Sequence, residues 1–380
     1  MSIKTDNYIR FFKDQVEEIK KEYNKTKAVP MRQLFREDVL TLAYVDGINL
    51  ANGHITIKVR KGFAPRLKVM KNFTIVSKKA RETLGAPHNW NLSFEDFNNI
   101  ADYHVGLSDL FPIHFLHRAD PDYDYIGCSS VSMQMFSRLE RNLSMGKTIT
   151  ILLFDPFPPT EYFNNLANYT YVNSSDQYLN IEPKIAYDDW HPEELAYDPN
   201  NKLGIVEKIS DVLESDECCI VQGPPGTGKS YTIAHIIARY LEENKNVCVT
   251  TMANKGLIEL VKQPPIEKYL TEGRVFKTRL SADEAKQVPG LLAAGKDIVA
   301  PAGSVVCATN YILSGLFNPK RSPELVKPSY DLIVIEEASQ AFLSAIAAFK
   351  TLGKHCLIVG DPMQLPPIVM GSEKVEYKMW

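Results

Sequence analysis

Several familiar chemistries are missing from this chain. Its six cysteines (Cys128, Cys218, Cys219, Cys248, Cys307 and Cys356) fall in no CxxC spacing. Three of them sit inside runs that read as buried strands, which points to neither a metal site nor a disulfide framework but to a reduced, cytoplasmic protein. His54, His104, His114 and His117 form no zinc spacing with them and read as structural or surface residues. No apolar stretch approaches the roughly 20 residues a membrane-spanning helix needs; FLSAIAAF at 342–349 is among the longest. The opening MSIKTDNYIRFFKDQVEEIKKEY mixes charges of both signs and lacks the apolar segment of a signal peptide. Nor is there an excess of positive charge: 43 Lys and Arg against 46 Asp and Glu exclude a general attraction to phosphate, so any nucleic-acid binding must be local.

What is present is enough apolar sequence, over 380 residues, for more than one core. Residues 6–26 carry Ile9, Phe12, Val16, Ile19 and Tyr23 at spacings of three or four, predicting a helix with one packed face. At 55–60 the period becomes two, with Ile55, Ile57 and Val59 between Thr56, Lys58 and Arg60, as in a half-buried strand. YIGCSSVSM (125–133) and TITILLFDPFPP (148–159) read as further strands of a β-rich module. Between 172 and 200 the chain turns acidic and irregular, which marks a junction. Beyond 203 helices alternate with short, continuously apolar runs (CCIVQ, NVCVTT, SVVCAT, DLIVI and HCLIVG), the pattern of a parallel sheet covered on both faces.

The strongest chemical signal is GPPGTGKS at 223–230, a G-x-x-x-x-G-K-[ST] string between a predicted strand and a predicted helix. Gly223, Gly226 and Gly228, with Pro224, Pro225 and Thr227, let backbone N–H groups face phosphate oxygens, and the following helix directs its positive end there. Lys229 is expected to reach the β and γ phosphates of ATP, Ser230 to ligate Mg²⁺, and Tyr231 to flank the nucleotide. DLIVIEEASQ (331–340) supplies the acidic strand: Glu336 for the metal and Glu337 to polarise the attacking water. IVGDPMQLPP (358–367) places Gln364 within reach of the γ phosphate or the lytic water.

Taken in order, these three strings resemble motifs I, II and III of superfamily 1 helicases, in particular the 1B subgroup of RNA-surveillance and Okazaki-fragment-processing enzymes. VTTMANKGLIEL (249–260) and VVCATNYILSG (305–315) resemble two nucleic-acid-contacting motifs of that family. The resemblance implies a RecA-like α/β fold, ATP and Mg²⁺ as cofactors, movement 5′ to 3′ along a single strand, and contacts to that strand from Thr251, Asn254, Thr309 and Asn310. AAA+ ATPases share motif I, but their acidic strand usually follows it sooner, without a Gln-Leu-Pro-Pro motif. Two departures stand out. Glu336 takes the place of the usual Asp, and NNKLGIVEKI (200–209) offers no Gln to read adenine.

Domain expectations follow: a stalk-like helix over 1–30, a β-rich, barrel-like accessory domain over 31–190, and the first RecA-like domain over 191–380. Nothing before Trp380 resembles motifs IV to VI, so a second polypeptide or a further C-terminal part is expected to supply their arginines, and the chain alone to hydrolyse ATP weakly. Nine basic residues and no acidic one lie between Lys58 and Arg81; Lys58 and Arg60 share a strand face near Phe63 and Phe73, suited to single-stranded nucleic acid. Two other readings remain open from sequence: a nucleic-acid-binding or interaction module with a vestigial ATPase, and a non-helicase P-loop switch.

Overall fold

The computed structural model describes residues 5–64, 72–78, 91–93, 96, 103–104, 111–173, 193–320 and 329–371, apart from positions 38, 50, 117, 130, 147, 148, 155–157, 202, 296 and 319. Two compact units divide it, with boundaries at Glu18/Ile19 and Pro159/Thr160. One unit combines the chain's first residues with everything from Thr160 onward; the other holds Ile19–Pro159. These boundaries differ from the expected ones near 30 and 190.

The difference has a physical source in two aromatic helices. Helix α1 (Thr5–Lys27) places Tyr8, Phe11 and Phe12 in a core shared with the C-terminal sequence. After α2 (Met31–Arg36) and α3 (Met133–Ser144), helix α4 (Glu161–Val172) adds Tyr162, Leu166 and Tyr169 to that same core. Each fully buried side chain of this size contributes about 1.5–3 kcal/mol, which outweighs proximity in sequence. Gln15 is wholly buried and is paid by a reciprocal pair: its Nε2 donates to Met370 O at 3.0 Å, and its Oε1 accepts from Met370 N at 2.7 Å.

The N-terminal unit is a closed antiparallel barrel. Strands β1 (Thr41–Asn49), β2 (His54–Arg60), β3 (Asn72–Lys78), β5 (Phe111–Leu116), β6 (Tyr123–Cys128) and β7 (Thr150–Phe154) pair in a ring β3-β5-β6-β2-β1-β7-β3, with β4 (Tyr103–His104) attached to β3. Alternation along β2 turns Ile55, Ile57 and Val59 inward beside Ala43, Ile126 and Ile151. Residues 125–133 do not continue as one strand: β6 ends at Cys128, and Ser132 caps α3 by accepting from Met135 N at 3.2 Å. That cap draws Met135, Phe136 and Leu139 onto the barrel core.

In the C-terminal unit a seven-stranded sheet, parallel at every pairing, runs β11-β10-β12-β9-β13-β14-β8. The strands are β8 (Cys218–Gln222), β9 (Val247–Thr251), β10 (Val275–Lys277), β11 (Leu292–Ala293), β12 (Val305–Thr309), β13 (Tyr330–Ile335) and β14 (Gly353–Gly360). Helices α5 (Gly204–Ser215), α6 (Lys229–Glu242) and α7 (Asn254–Val261) cover one face against Val249, Cys307, Val334 and Leu357. The other face packs Cys248, Val306, Ile333 and Cys356 on α1, α4 and α8 (Leu343–Lys350). This is the parallel sheet covered on both faces that the continuous apolar runs anticipate, and the RecA-like arrangement that the motif resemblance implies, with β14 standing between the P-loop strand and the acidic strand. Among the described residues no helix is long and apolar enough to cross a membrane.

Candidate nucleotide site

The three chemical motifs arrive at one edge of the sheet because parallel strands all end on the same side. At the C-terminal end of β8 the chain enters the loop 223–228, and Gly223 N donates to Gly360 O of neighbouring β14 at 3.1 Å. Gly226 and Gly228 adopt φ of 84° and 83°, a left-handed backbone that costs a side-chain-bearing residue about 1–2 kcal/mol. Those two turns lead straight into α6, so its first N–H groups and positive dipole end lie at the loop.

Lys229 folds over the loop, its Nζ donating to Gly223 O at 2.6 Å and Pro224 O at 2.9 Å. Thr227 Oγ1 donates to Pro224 O at 2.8 Å and completes the ring of contacts. Neutral carbonyls thus hold an ammonium that an anionic phosphate would attract more strongly. Beneath lies a cavity of about 200 Å³, lined by Ile205, Ile209, Gln222, Pro224, Thr227 and Lys229 among others. Pro225 and Gly226 are exposed on the loop, and Tyr231 is 43% exposed, its ring edge-on to His235 at 4.5 Å.

Acidic residues reach the loop from β13. Its ladder with β9 extends one step past the strand, where Glu336 N donates to Thr250 O at 2.9 Å. Ser230 Oγ donates to Glu336 Oε1 at 2.9 Å, bringing the P-loop and the acidic strand into direct contact. Burial pushes the Glu336 carboxyl above the usual carboxylate range, and the negative charge of Glu337 adds to this; the Ser230 hydrogen bond and the Lys229 charge oppose it. Its second oxygen, Oε2, is buried with no hydrogen-bond partner in the protein. A hydroxyl and a carboxylate are oxygen donors that fit a hard divalent cation such as Mg²⁺.

Glu337 has φ of 53°, a left-handed conformation for a residue that carries a side chain. It opens a turn in which Gln340 N donates to Glu337 O at 3.0 Å and Gln340 Nε2 to its Oε2 at 3.3 Å. Such strain is held in place by its surroundings and concentrates at functional sites. Gln364 lies half-buried in the loop after β14, in a turn set by Asp361, whose Oδ1 accepts from Met363 N at 2.9 Å and whose carbonyl accepts from Gln364 N at 3.0 Å.

The residues expected to touch nucleic acid divide sharply by exposure. Asn254 is exposed at the start of α7. Thr251 (0% exposed), Thr309 (8%) and Asn310 (1%) are buried. The Asn310 side chain is occupied, its Oδ1 accepting from Thr250 Oγ1 at 2.7 Å and its Nδ2 donating to Met252 Sδ at 3.0 Å. On the barrel, Lys58 lies 3.6 Å from Asp46 Oδ1 and over the Tyr123 ring, while Arg60 covers the ring of exposed Phe63. Arg118 also pairs with Asp46, and Lys61 with Asp124, so acids on adjoining segments offset the basic stretch. Arg66, Lys68, Lys71 and Lys79 lie outside the described residues, as do the side chains of Phe73 and Lys78.

Beside this geometry stand a family match and three likenesses to known proteins. Residues 207–370 match the family described as an AAA domain. The DNA replication ATP-dependent helicase/nuclease DNA2 of Saccharomyces cerevisiae is 25% identical over 182 residues, covering 47% of this chain and 12% of that protein. JHS1 of Arabidopsis thaliana, of the same description, is 25% identical over 254 residues, or 66% of this chain and 17% of its own length. The ATP-dependent helicase upf1 of Schizosaccharomyces pombe is 26% identical over 327 residues, 73% of this chain and 32% of upf1. The chain therefore spans a third or less of each of these relatives.

Proposed function

We propose, from the match of residues 207–370 to an AAA domain and the likeness to ATP-dependent helicases, that the chain carries the first motor domain of a superfamily 1 ATP-dependent helicase or translocase acting on single-stranded DNA or RNA. The single observation that carries this reading is the contact of Ser230 with Glu336 at the mouth of a P-loop already closed by Lys229.

In this account the N–H groups of the loop and of the α6 N-terminus bind the phosphates, and Lys229 exchanges its carbonyl partners for β and γ oxygens. Ser230 and Glu336 would hold Mg²⁺, which would supply positive charge beside the phosphates. Glu337 takes a proton from the attacking water, while Gln364 orients that water or the γ phosphate. A second RecA-like domain, from further chain or another polypeptide, supplies the remaining positive charge, and its closure converts binding energy into movement. The strand crosses the β9 and β12 ends, meeting the Asn254 side chain and backbone groups around Thr251, Thr309 and Asn310. Lys58 and Arg60 of the barrel add local contacts, Arg60 being the more exposed. Six free cysteines accord with a reducing, cytoplasmic setting.

The test is ATP hydrolysis by an assembly that contains this chain, with and without single-stranded DNA or RNA. Stimulation by either strand supports the reading; nucleotide turnover indifferent to both argues for a P-loop switch instead.

A further inference from the structure

Two buried oxygens at the heart of the site have no partner in the protein. Thr251 Oγ1 belongs to a residue that is 0% exposed, and Glu336 Oε2 to one that is 7% exposed. They come from the ends of adjacent strands, since β9 and β13 pair as far as Thr250 and Ile335. Both border the same small space beside Gly256 in the first turn of α7. A side-chain carbon built on Gly256 would lie 3.4 Å from Thr251 Oγ1 and 3.9 Å from Glu336 Oε2. Both oxygens therefore face the notch that glycine leaves beside the Gly256 Cα. A buried water needs two or more polar partners, and these two oxygens, both without a partner in the protein, are such a pair. Leaving both oxygens unbonded would cost about 1–3 kcal/mol for each.

We propose that Thr251 is a positioning residue of the nucleotide centre: its hydroxyl and Glu336 Oε2 share one water in the notch left by Gly256, which fixes the carboxylate for the divalent ion. The proposal rests on the assignment of Ser230 and Glu336 to that ion. It gives the Thr251 side chain a role facing the sheet interior, where a nucleic-acid strand has no access. Glu336 is then held from both sides, Ser230 at Oε1 and the Thr251-bound water at Oε2. Glutamate's long arm has several rotamers to restrict, and the second tether restricts them.

The experiment uses the full chain with Mn²⁺ as a paramagnetic substitute for Mg²⁺. Mn²⁺ affinity in the presence of ADP is read by electron paramagnetic resonance for Thr251→Val, Thr251→Ser and Gly256→Ala, alongside ADP affinity in EDTA. Loss of an outer-shell partner typically costs at least about 10-fold in metal affinity. Thr251→Val, which keeps the shape and removes the hydroxyl, is expected to weaken Mn²⁺ binding by about that factor while ADP binding in EDTA stays unchanged. Gly256→Ala, which fills the notch and improves helix propensity, is expected to do the same without unfolding the protein. Thr251→Ser restores the hydroxyl and should bind Mn²⁺ as the parent does. Wild-type affinity in Thr251→Val, or an equal loss in Thr251→Ser, overturns the proposal. A parent chain that binds ADP but no Mn²⁺ overturns the metal assignment and this inference with it.

Discussion

Ser230 Oγ donates to Glu336 Oε1 across 2.9 Å, joining side chains 106 positions apart in sequence. One lies in the first turn of α6 and the other just past the end of β13, two strands away from β8 in the sheet. The contact shows what the glutamate does here: its carboxylate meets the P-loop hydroxyl directly. The arrangement also buries a charge, and that has measurable consequences.

Glu336→Gln should stabilise the metal-free protein at neutral pH. Because the folded-state pKa of Glu336 is raised, the native state favours the protonated carboxyl. Its contribution is greatest below the unfolded carboxylate value of about 4.3 and is lost as pH rises through the higher folded value. The cost of the buried charge therefore builds up as pH rises, and the neutral amide removes it. Thermal melts in EDTA from pH 4 to 8 should show the variant's advantage growing with pH. An advantage that is constant or shrinks with pH would contradict the assignment.

Glu337→Gly should separate stability from turnover. The left-handed backbone at φ 53° costs a glutamate about 1–2 kcal/mol that glycine escapes. Part of that gain is offset by glycine's greater freedom in the unfolded chain. Urea denaturation is expected to show little or no loss of stability, while single-turnover ATP hydrolysis falls by at least about 100-fold with loss of a general base. A variant that hydrolyses ATP normally would remove Glu337 from the chemistry.

Leu166→Ala should weaken the nucleotide-binding unit although it lies more than fifty positions before the P-loop. Leu166 is fully buried in the core that also holds Ile333, Ile335 and Phe349. Deleting it costs about 2–5 kcal/mol. The unfolding transition that abolishes nucleotide binding should move to lower urea; an unmoved transition would detach α4 from this unit.

The sheet and its site were legible in the sequence for unequal reasons. Runs such as VCVTT and DLIVI read as strands because burial on both faces leaves no polar alternation, and GPPGTGKS names its own backbone geometry. The placement of α4 was not legible, although Tyr162, Leu166 and Tyr169 recur at helical spacing: periodicity shows that a face is packed but not against what. Barrel closure depends on the pairing of β3 with β7, a long-range register that local pattern does not encode. The motif resemblance implies that Thr251 touches the nucleic-acid strand, and burial of its side chain is not read from the motif, since a threonine at a strand end faces inward or outward according to pleat.

The central claim is that Lys229, Ser230 and Glu336 form one pocket for a metal-bound triphosphate, and equilibrium binding of a fluorescent ATP analogue with Mg²⁺ tests it most directly. Lys229→Ala removes a charge-assisted contact worth about 1.5–3 kcal/mol, so affinity should drop by about 10- to 100-fold. Glu336→Gln should abolish the dependence of binding on Mg²⁺ while leaving metal-free binding intact. Equal affinity in the parent and Lys229→Ala, with Mg²⁺ dependence preserved in Glu336→Gln, would show that the nucleotide binds elsewhere or not at all.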